Sequence, residues 1–212
     1  LANAQLMQHC SPLAEKICLG SHAAGRVWSQ QEINSAMIEK ARAGKKVVRL
    51  KGGDPLIFGC GFQELEALEL ANVPFEVVPG ISAGIAAAAY AGIPITHRDS
   101  ASAVAFVTGQ ERRGKQNSIH ELPAHAKCPG TLIIYMGTTT VELWSDGLIQ
   151  YGKSSDTPVA VVRRCTHANQ SITLTTLGQV ANLVRTDPPM RPPVVFIVGE
   201  VASFSSRFDW FS

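Results

Sequence analysis

A glycine-rich loop set between a strand and a helix constrains this chain more than any other feature. The segment VVRLKGGDPLIFGCGFQELEALELANVPFEVVPG reads as a strand (Val47 to Leu50), a loop (Gly52 to Gly61), a helix (about Phe62 to Leu70), a second strand (Phe75 to Val78) and a Pro-Gly stop. Gly52, Gly53, Gly59 and Gly61 carry no Cβ, so the loop can bring bare backbone against a ligand. In open α/β sheets ligands sit at the carboxyl ends of strands, which is where this loop lies. Asp54 is the one charged side chain inside it. Its carboxylate can accept hydrogen bonds from a ribose or an amine, or it can simply close a turn.

The flanking sequence extends the same grammar. Ser29 with Glu32 three residues on is a capping box opening a helix that runs to Ala43 and stops at Gly44. A further helix is expected from Ser82 to Ala91, closed by Gly92, with alanines presenting a small flat face. Alternating strands and helices of this kind imply a mainly parallel sheet with right-handed crossovers. The segment IPITHRDSAS, Ile93 to Ser102, breaks the rhythm and is the candidate linker, dividing the chain into domains of residues 1–99 and 100–212. Beyond it, strands are expected at Ala103 to Thr108, Thr131 to Met136, Val159 to Arg163, Gln170 to Thr175 and Val194 to Val198, with a polar stretch after the first. Helices are expected at Thr140 to Gln150 and Leu177 to Arg185. A turn at Thr166 to Gln170 joins neighbouring strands, so this second sheet is expected to be mixed.

Composition enters mainly through what it excludes. The 45% hydrophobic content of 212 residues can supply one large core or two small ones. With 19 basic and 17 acidic residues, the overall field favours no nucleic-acid partner, and no apolar run reaches transmembrane length. Leu1 is not followed by a charged and then apolar signal region. Cys10, Cys18, Cys60, Cys128 and Cys165 are scattered without a CxxC, a pattern of free thiols in a reducing cytosol. His120 and His125 are five apart, which suits no common ligand spacing, so no metal is expected.

Several blocks together, VVRLKGGDPLIFGCG, FEVVPGISA, AGIPITHRD, FVTGQE, IIYMG and PPVVFIVGEV, resemble the uroporphyrinogen III C-methyltransferases, which belong to the tetrapyrrole methylases. The resemblance implies an α/β fold of two domains: a mainly parallel N-terminal sheet, whose first strand lies upstream of Leu1, and a mixed C-terminal sheet. It implies S-adenosylmethionine in the inter-domain cleft, S-adenosylhomocysteine as the spent product, uroporphyrinogen III as substrate, precorrin-2 as product, a homodimer and a cytoplasmic setting. Carried over position by position, Gly52, Gly53, Asp54 and Ile57 contact the cofactor, as do Ser82, Ala83, Met136 and Cys165. The eight carboxylates of the substrate call for cations, for which His97, Arg98, Arg112, Arg113 and Lys115 are candidates, with Arg26 behind them. By residue chemistry alone, Ser82 can be an N-cap, Met136 a core residue, Cys165 a small hydrophobe, and the Arg112 to Lys115 run a solvated loop.

Three departures from the family pattern stand out. A GAGPGD-type loop and its strand are expected upstream of Leu1, which makes the chain read as a piece of a longer product. Ser21 occupies the position of a lysine to which the family assigns proton donation, beside His22, and the catalytic group is therefore left open. Cys60 replaces the arginine usual in FGRG. Two further readings follow: a sister enzyme acting on a later precorrin, or a non-catalytic module that binds S-adenosylmethionine or dimerises. A nucleotide-binding Rossmann domain is disfavoured because the loop lacks GxGxxG spacing.

Overall fold

Local capping signals set the helices of the first part of the chain. The computed structural model describes residues 4–20, 27–110, 118–186, 188–208 and 210–211. Helix α1 (Gln30–Arg42) opens on the expected capping box: the Ser29 hydroxyl accepts from the Glu32 N–H, and the Glu32 carboxylate accepts from the Ser29 N–H. It closes at Gly44, whose φ of +74° lets the chain reverse while its N–H donates to the Ala41 carbonyl. Helix α2 (Gly61–Leu70) ends on Asn72, another left-handed residue. The two helices are joined by Asn34 donating to the Gln63 carbonyl and Arg42 donating to the Ala71 carbonyl, 3.4 and 3.0 Å. Lys40 also pairs with Glu15 at 2.7 Å, which holds the segment after the short 3-10 helix Ala4–His9.

These elements form one compact unit, Leu1–Ser82; the second is Ala83–Ser212. The division falls before the expected boundary at 99/100, because residues 83–101 contribute to the core of the second unit. The first unit also differs from expectation at Val47 to Leu50 and Phe75 to Val78, where strands were anticipated. Among its described residues no strand pairs, and Val48 and Val78 are 79% and 74% exposed. A helix satisfies its own backbone, whereas a strand exists only where a neighbour supplies the opposite hydrogen bonds. None of the described segments of this unit supplies them.

The second unit is a three-layer α/β arrangement. Helix α3 (Ala83–Tyr90) precedes β1 (Val104–Thr108), followed by α4 (Ser118–Ala126), β2 (Thr131–Tyr135) and α5 (Val141–Gln150). Then come β3 (Pro158–Arg163), β4 (Ser171–Thr176), α6 (Val180–Arg185), β5 (Val194–Val198) and a 3-10 helix, Glu200–Arg207. The sheet order is β1-β2-β5-β3-β4, with β1 and β2 parallel and every other pair antiparallel, the mixed sheet the sequence implied. Side chains alternate between its faces. Leu132, Ile134, Val159, Val161, Phe196 and Val198 meet α5 and α6 on one face; Ile133, Ala160, Val162, Val195 and Ile197 meet α3 and the 3-10 helix on the other. Helix α4 lies in what reads as a polar stretch, and its apolar signal is interrupted by Pro123. No described helix is long and apolar enough to cross a membrane.

Glycine permits the close approach of α3 to the sheet. The Gly84 N–H, one of the unpaired donors of the first turn, donates to the Tyr135 hydroxyl of β2 at 2.7 Å. A Cβ on Gly84 would come within 2.5 Å of both that hydroxyl and Ile133. At the far end of the helix Gly92, φ +65°, reverses the chain as expected, and the Ile93 N–H returns to the Ala88 carbonyl at 2.8 Å.

On the opposite face Arg185 of α6 grips the start of α5. Its guanidinium makes two 2.8 Å bonds to Glu142 and one of 3.1 Å to the Thr139 carbonyl. The Arg185 hydrogen bonds hold the Glu142 carboxyl at about 2, well below its usual 4.5. A carboxyl whose pKa is lowered by folding contributes stability above its unfolded pKa and loses it as pH falls through the folded one. Stability of the second unit is therefore expected to decline between pH 4.5 and 2 through this pair. Thermal melts of Arg185→Met across that range should show a shallower acid decline than the parent; identical slopes would remove the pair from the account.

Candidate functional site

Two places in the fold bring backbone, rather than side chains, to the fore. In the first unit it is the glycine loop. Gly53 has φ +77°, while Phe58 and Cys60 sit at +51° and +30°, left-handed values costly for residues with a side chain. The Asp54 carboxylate accepts from the Leu56 N–H at 2.9 Å and from the Gly80 N–H at 3.3 Å. It therefore closes its own turn and ties the loop to the Pro79-Gly80 stop, and an ionised carboxylate so engaged still has lone pairs for another donor. A Cβ on Gly80 would collide with the Gly53 carbonyl, and one on Gly61 with the Pro55 carbonyl. Gly52 is exposed and Ile57 half-buried, while Ser82, at the end of this unit, is buried at 3% exposure. Cys60 is exposed just ahead of α2 and makes no side-chain cap.

Behind the loop lies a buried carboxylate that sequence reading passed over. Glu64, in the first turn of α2 and 4% exposed, accepts from Lys51 at 3.0 Å, Arg49 at 3.1 Å and Gln30 of α1 at 3.2 Å. A carboxylate in the first turn also suits the positive end of the helix dipole. The available signal was Glu64 sharing one face of α2 with Gly61, Leu65 and Leu68.

In the second unit the place is one edge of the sheet. Strands β2 and β3 each run antiparallel to β5 and hence parallel to each other; β1 runs with β2. Three carboxyl ends therefore gather on one side, the position of ligand sites in α/β sheets. After β1 the Gly109 N–H donates to the Tyr135 carbonyl at 2.7 Å, and Gly109 lies so close to Gly137 that a Cβ would come within 2.5 Å of its Cα. Trp144 of α5 donates its indole N–H to the Gly137 carbonyl at 2.9 Å, fixing the turn after β2. Met136 at φ +53°, Arg164 at +50° and Thr166 at +69° are this unit's described non-glycine residues with positive φ, and all three lie on this edge. Strain concentrated in this way marks positions held for something other than packing.

Of the candidate contacts in this unit, Met136 follows β2 and is 45% exposed, so it is not the core residue its chemistry also allowed. Cys165 follows β3 and packs half-buried against the core. Burial pushes its thiol up to about 11, which makes it an apolar wall rather than a nucleophile at neutral pH. Ala83, exposed, precedes Gly84 and so stands beside Tyr135, the last residue of β2. Tyr135 was not among the expected residues, yet its hydroxyl sets where the first turn of α3 meets this edge.

The cationic candidates divide. His97 forms an antiparallel bridge with Ala101, stacks 5.0 Å from Phe204 and lies 3.9 Å from Asp99. With Gly92, Pro94, Arg207 and Phe208 it lines an open cleft of about 550 Å³, over which the Arg207 guanidinium sits 5.7 Å from the Phe204 ring and 5.3 Å from that of Phe208. Arg98 is exposed next to it. Arg112, Arg113 and Lys115, like Ser21, His22 and Arg26, lie outside the described residues. Among the described residues no three His, Cys, Asp or Glu side chains converge on a metal position.

The sequence pattern of Tetrapyrrole (Corrin/Porphyrin) Methylases matches residues 4–181. The S-adenosyl-L-methionine-dependent uroporphyrinogen III methyltransferase of Methanosarcina barkeri is 45% identical over 188 residues, 89% of this chain and 73% of the relative. A siroheme synthase of Photorhabdus laumondii is 46% identical over 198 residues, 93% of this chain but only 41% of that longer protein. Among solved structures, a uroporphyrin-III C-methyl transferase from Thermus thermophilus complexed with S-adenosyl homocysteine superposes with a TM-score of 0.71 at 34% identity, covering 82% of this chain and 74% of that one. A cobalt precorrin-4 methyltransferase superposes with a TM-score of 0.81 at 29% identity, covering 95% and 81%. The match runs through the glycine loop, the α3 turn and the strand ends described above, and the chain belongs to the tetrapyrrole methylase family.

Proposed function

We propose that this chain methylates two pyrrole carbons of uroporphyrinogen III with S-adenosylmethionine, yielding precorrin-2 for siroheme and cobalamin, as a cytoplasmic homodimer. The observation that carries the reading is the 45% identity to a uroporphyrinogen III methyltransferase, supported by the bare backbone of the glycine loop in the first unit and, separately, of the sheet edge in the second. S-adenosylmethionine supplies an electrophilic methyl group, and an electron-rich pyrrole carbon is already a nucleophile. The protein's task is then to orient the partners and exclude water. The described residues fit that task. Gly52, Gly53 and Gly80 leave backbone bare, and Asp54 keeps acceptor capacity for hydroxyl or amine donors. Ile57, Ala83, Met136 and Cys165 offer small or apolar surface, Ser82 is buried just ahead of Ala83, and Cys165 stays protonated. His97 and Arg98, with Arg112, Arg113 and Lys115, serve the carboxylates of the substrate; the proton released from the methylated carbon needs a base that Ser21 does not obviously supply.

A specific observation favours a second reading, a sister enzyme on a later precorrin: the superposition on a cobalt precorrin-4 methyltransferase covers 95% of the chain. An anaerobic assay with labelled S-adenosylmethionine separates the two. Transfer of two methyl groups to uroporphyrinogen III, and none to a cobalt precorrin-4, is the expected result. The reverse pattern would establish the sister reading, and binding without any transfer would leave a non-catalytic module.

The loop geometry generates a second expectation. Gly80→Ala forces its new Cβ into the Gly53 carbonyl and so displaces the loop. S-adenosylhomocysteine binding measured by calorimetry should weaken by about tenfold, equivalent to ~1.4 kcal/mol. Unchanged affinity would detach the loop from the donor.

A further inference from the structure

We infer that Glu64 is a positioning residue for the glycine loop, acting through Lys51, and that this ion pair sets donor affinity rather than the rate of methyl transfer. The inference rests on the reading of the loop as the donor-binding element. Its basis is where the buried carboxylate holds the chain. Lys51 immediately precedes Gly52, and its ammonium reaches Glu64, the fourth residue of the helix that follows the loop, at 3.0 Å. The pair thus closes the loop at its base, joining the residue before it to the first turn after it. The stem of Lys51 crosses the exit limb on the way: a Cβ on Gly59 would lie 3.7 Å from the Lys51 Cε. Arg49 strengthens the entry limb, with Nε on Glu64 at 3.1 Å and a terminal nitrogen on the Leu50 carbonyl at 3.0 Å. Gln30 brings α1 to the same carboxylate at 3.2 Å.

Stability alone does not account for this arrangement. Burying a carboxylate with two cations carries a desolvation penalty that apolar packing would avoid, and such pairs are weak evidence of net stabilisation. The side chains of Lys51 and Glu64 are only 13% and 5% exposed, so solvent screens the pair little. What the pair provides is a fixed separation between the two limbs of a loop whose backbone is strained at Phe58 and Cys60. A binding loop held in its bound shape before the ligand arrives loses less entropy on binding.

The test compares the full chain with Glu64→Gln, Lys51→Met and the double variant. Three readouts are taken: the melting curve, the Kd for S-adenosylhomocysteine, and kcat at saturating donor. Each single change is expected to raise Kd by about tenfold, the size of one lost charged hydrogen bond. The double variant should be little worse than either single, because both remove the same link. kcat at saturation should stay within about twofold. A wild-type Kd in Glu64→Gln overturns the inference, as do additive effects in the double variant or a fall in kcat at constant Kd. If Glu64→Gln does not fold, Lys51→Met carries the test, since it leaves Glu64 held by Arg49 and Gln30. A parent chain that binds no S-adenosylhomocysteine would instead defeat the donor reading. Amide exchange across Gly52 to Gly61 then decides the inference alone: faster exchange in the variants supports it, and unchanged protection overturns it.

Discussion

The second unit depends on one strand that is buried along its whole length. All five residues of β5 are buried, three facing one core and two the other, and its backbone pairs with β2 on one side and β3 on the other. Each buried backbone group left without a partner would cost ~1–3 kcal/mol, so β5 demands both neighbours. Because both meet it antiparallel, they must run parallel to each other. The alignment of the carboxyl ends of β2 and β3, and with them Met136 and Cys165, is therefore a consequence of burying β5.

The same edge shows how packing and chemistry share residues. Tyr135 points its ring into the core and its hydroxyl at the Gly84 N–H, so a core aromatic also fixes the first turn of α3. Trp144 does likewise, packing 5.2 Å from Phe196 while its indole N–H holds the Gly137 turn. Strained backbone at Arg164 and Thr166 is held by other bonds, the Arg164 N–H donating to the Pro193 carbonyl at 3.0 Å and the Thr166 N–H to the Gln170 side-chain carbonyl at 2.8 Å. In the first unit the corresponding role falls to Asp54 at the front of the glycine loop and Glu64 behind it.

Legibility differed by the range of the interaction involved. Helix α1 was readable to its cap because the Ser29–Glu32 box and Gly44 act within a few residues. Helix α4 was not, since Pro123 breaks its pattern and its place is decided by packing against α5. The buried strands of the second unit were legible as short continuous apolar runs and β4 through its alternation, whereas the apolar-rich runs at Val47 to Leu50 and Phe75 to Val78 carry no ladder. Propensity describes a segment; pairing needs a second one. In the site, Asp54 could be singled out but its partner Gly80 could not, as the two are 26 residues apart. Glu64 reads as one more helix glutamate until Lys51, Arg49 and Gln30 converge on it.

The sequence by itself determined the class of the molecule: capped helices, alternating strands and a glycine loop with one aspartate, all carried by short-range steric and hydrogen-bonding preferences. It also determined the family, through blocks of residues whose order survives regardless of distance in space. Tertiary structure alone decided that α3 belongs with the second sheet and that β5 aligns the ends of its neighbours. It alone gave Glu64 its two cations and Tyr135 its glycine. These are contacts between residues far apart in the chain, and their energies come from burial and from partners that no local pattern records.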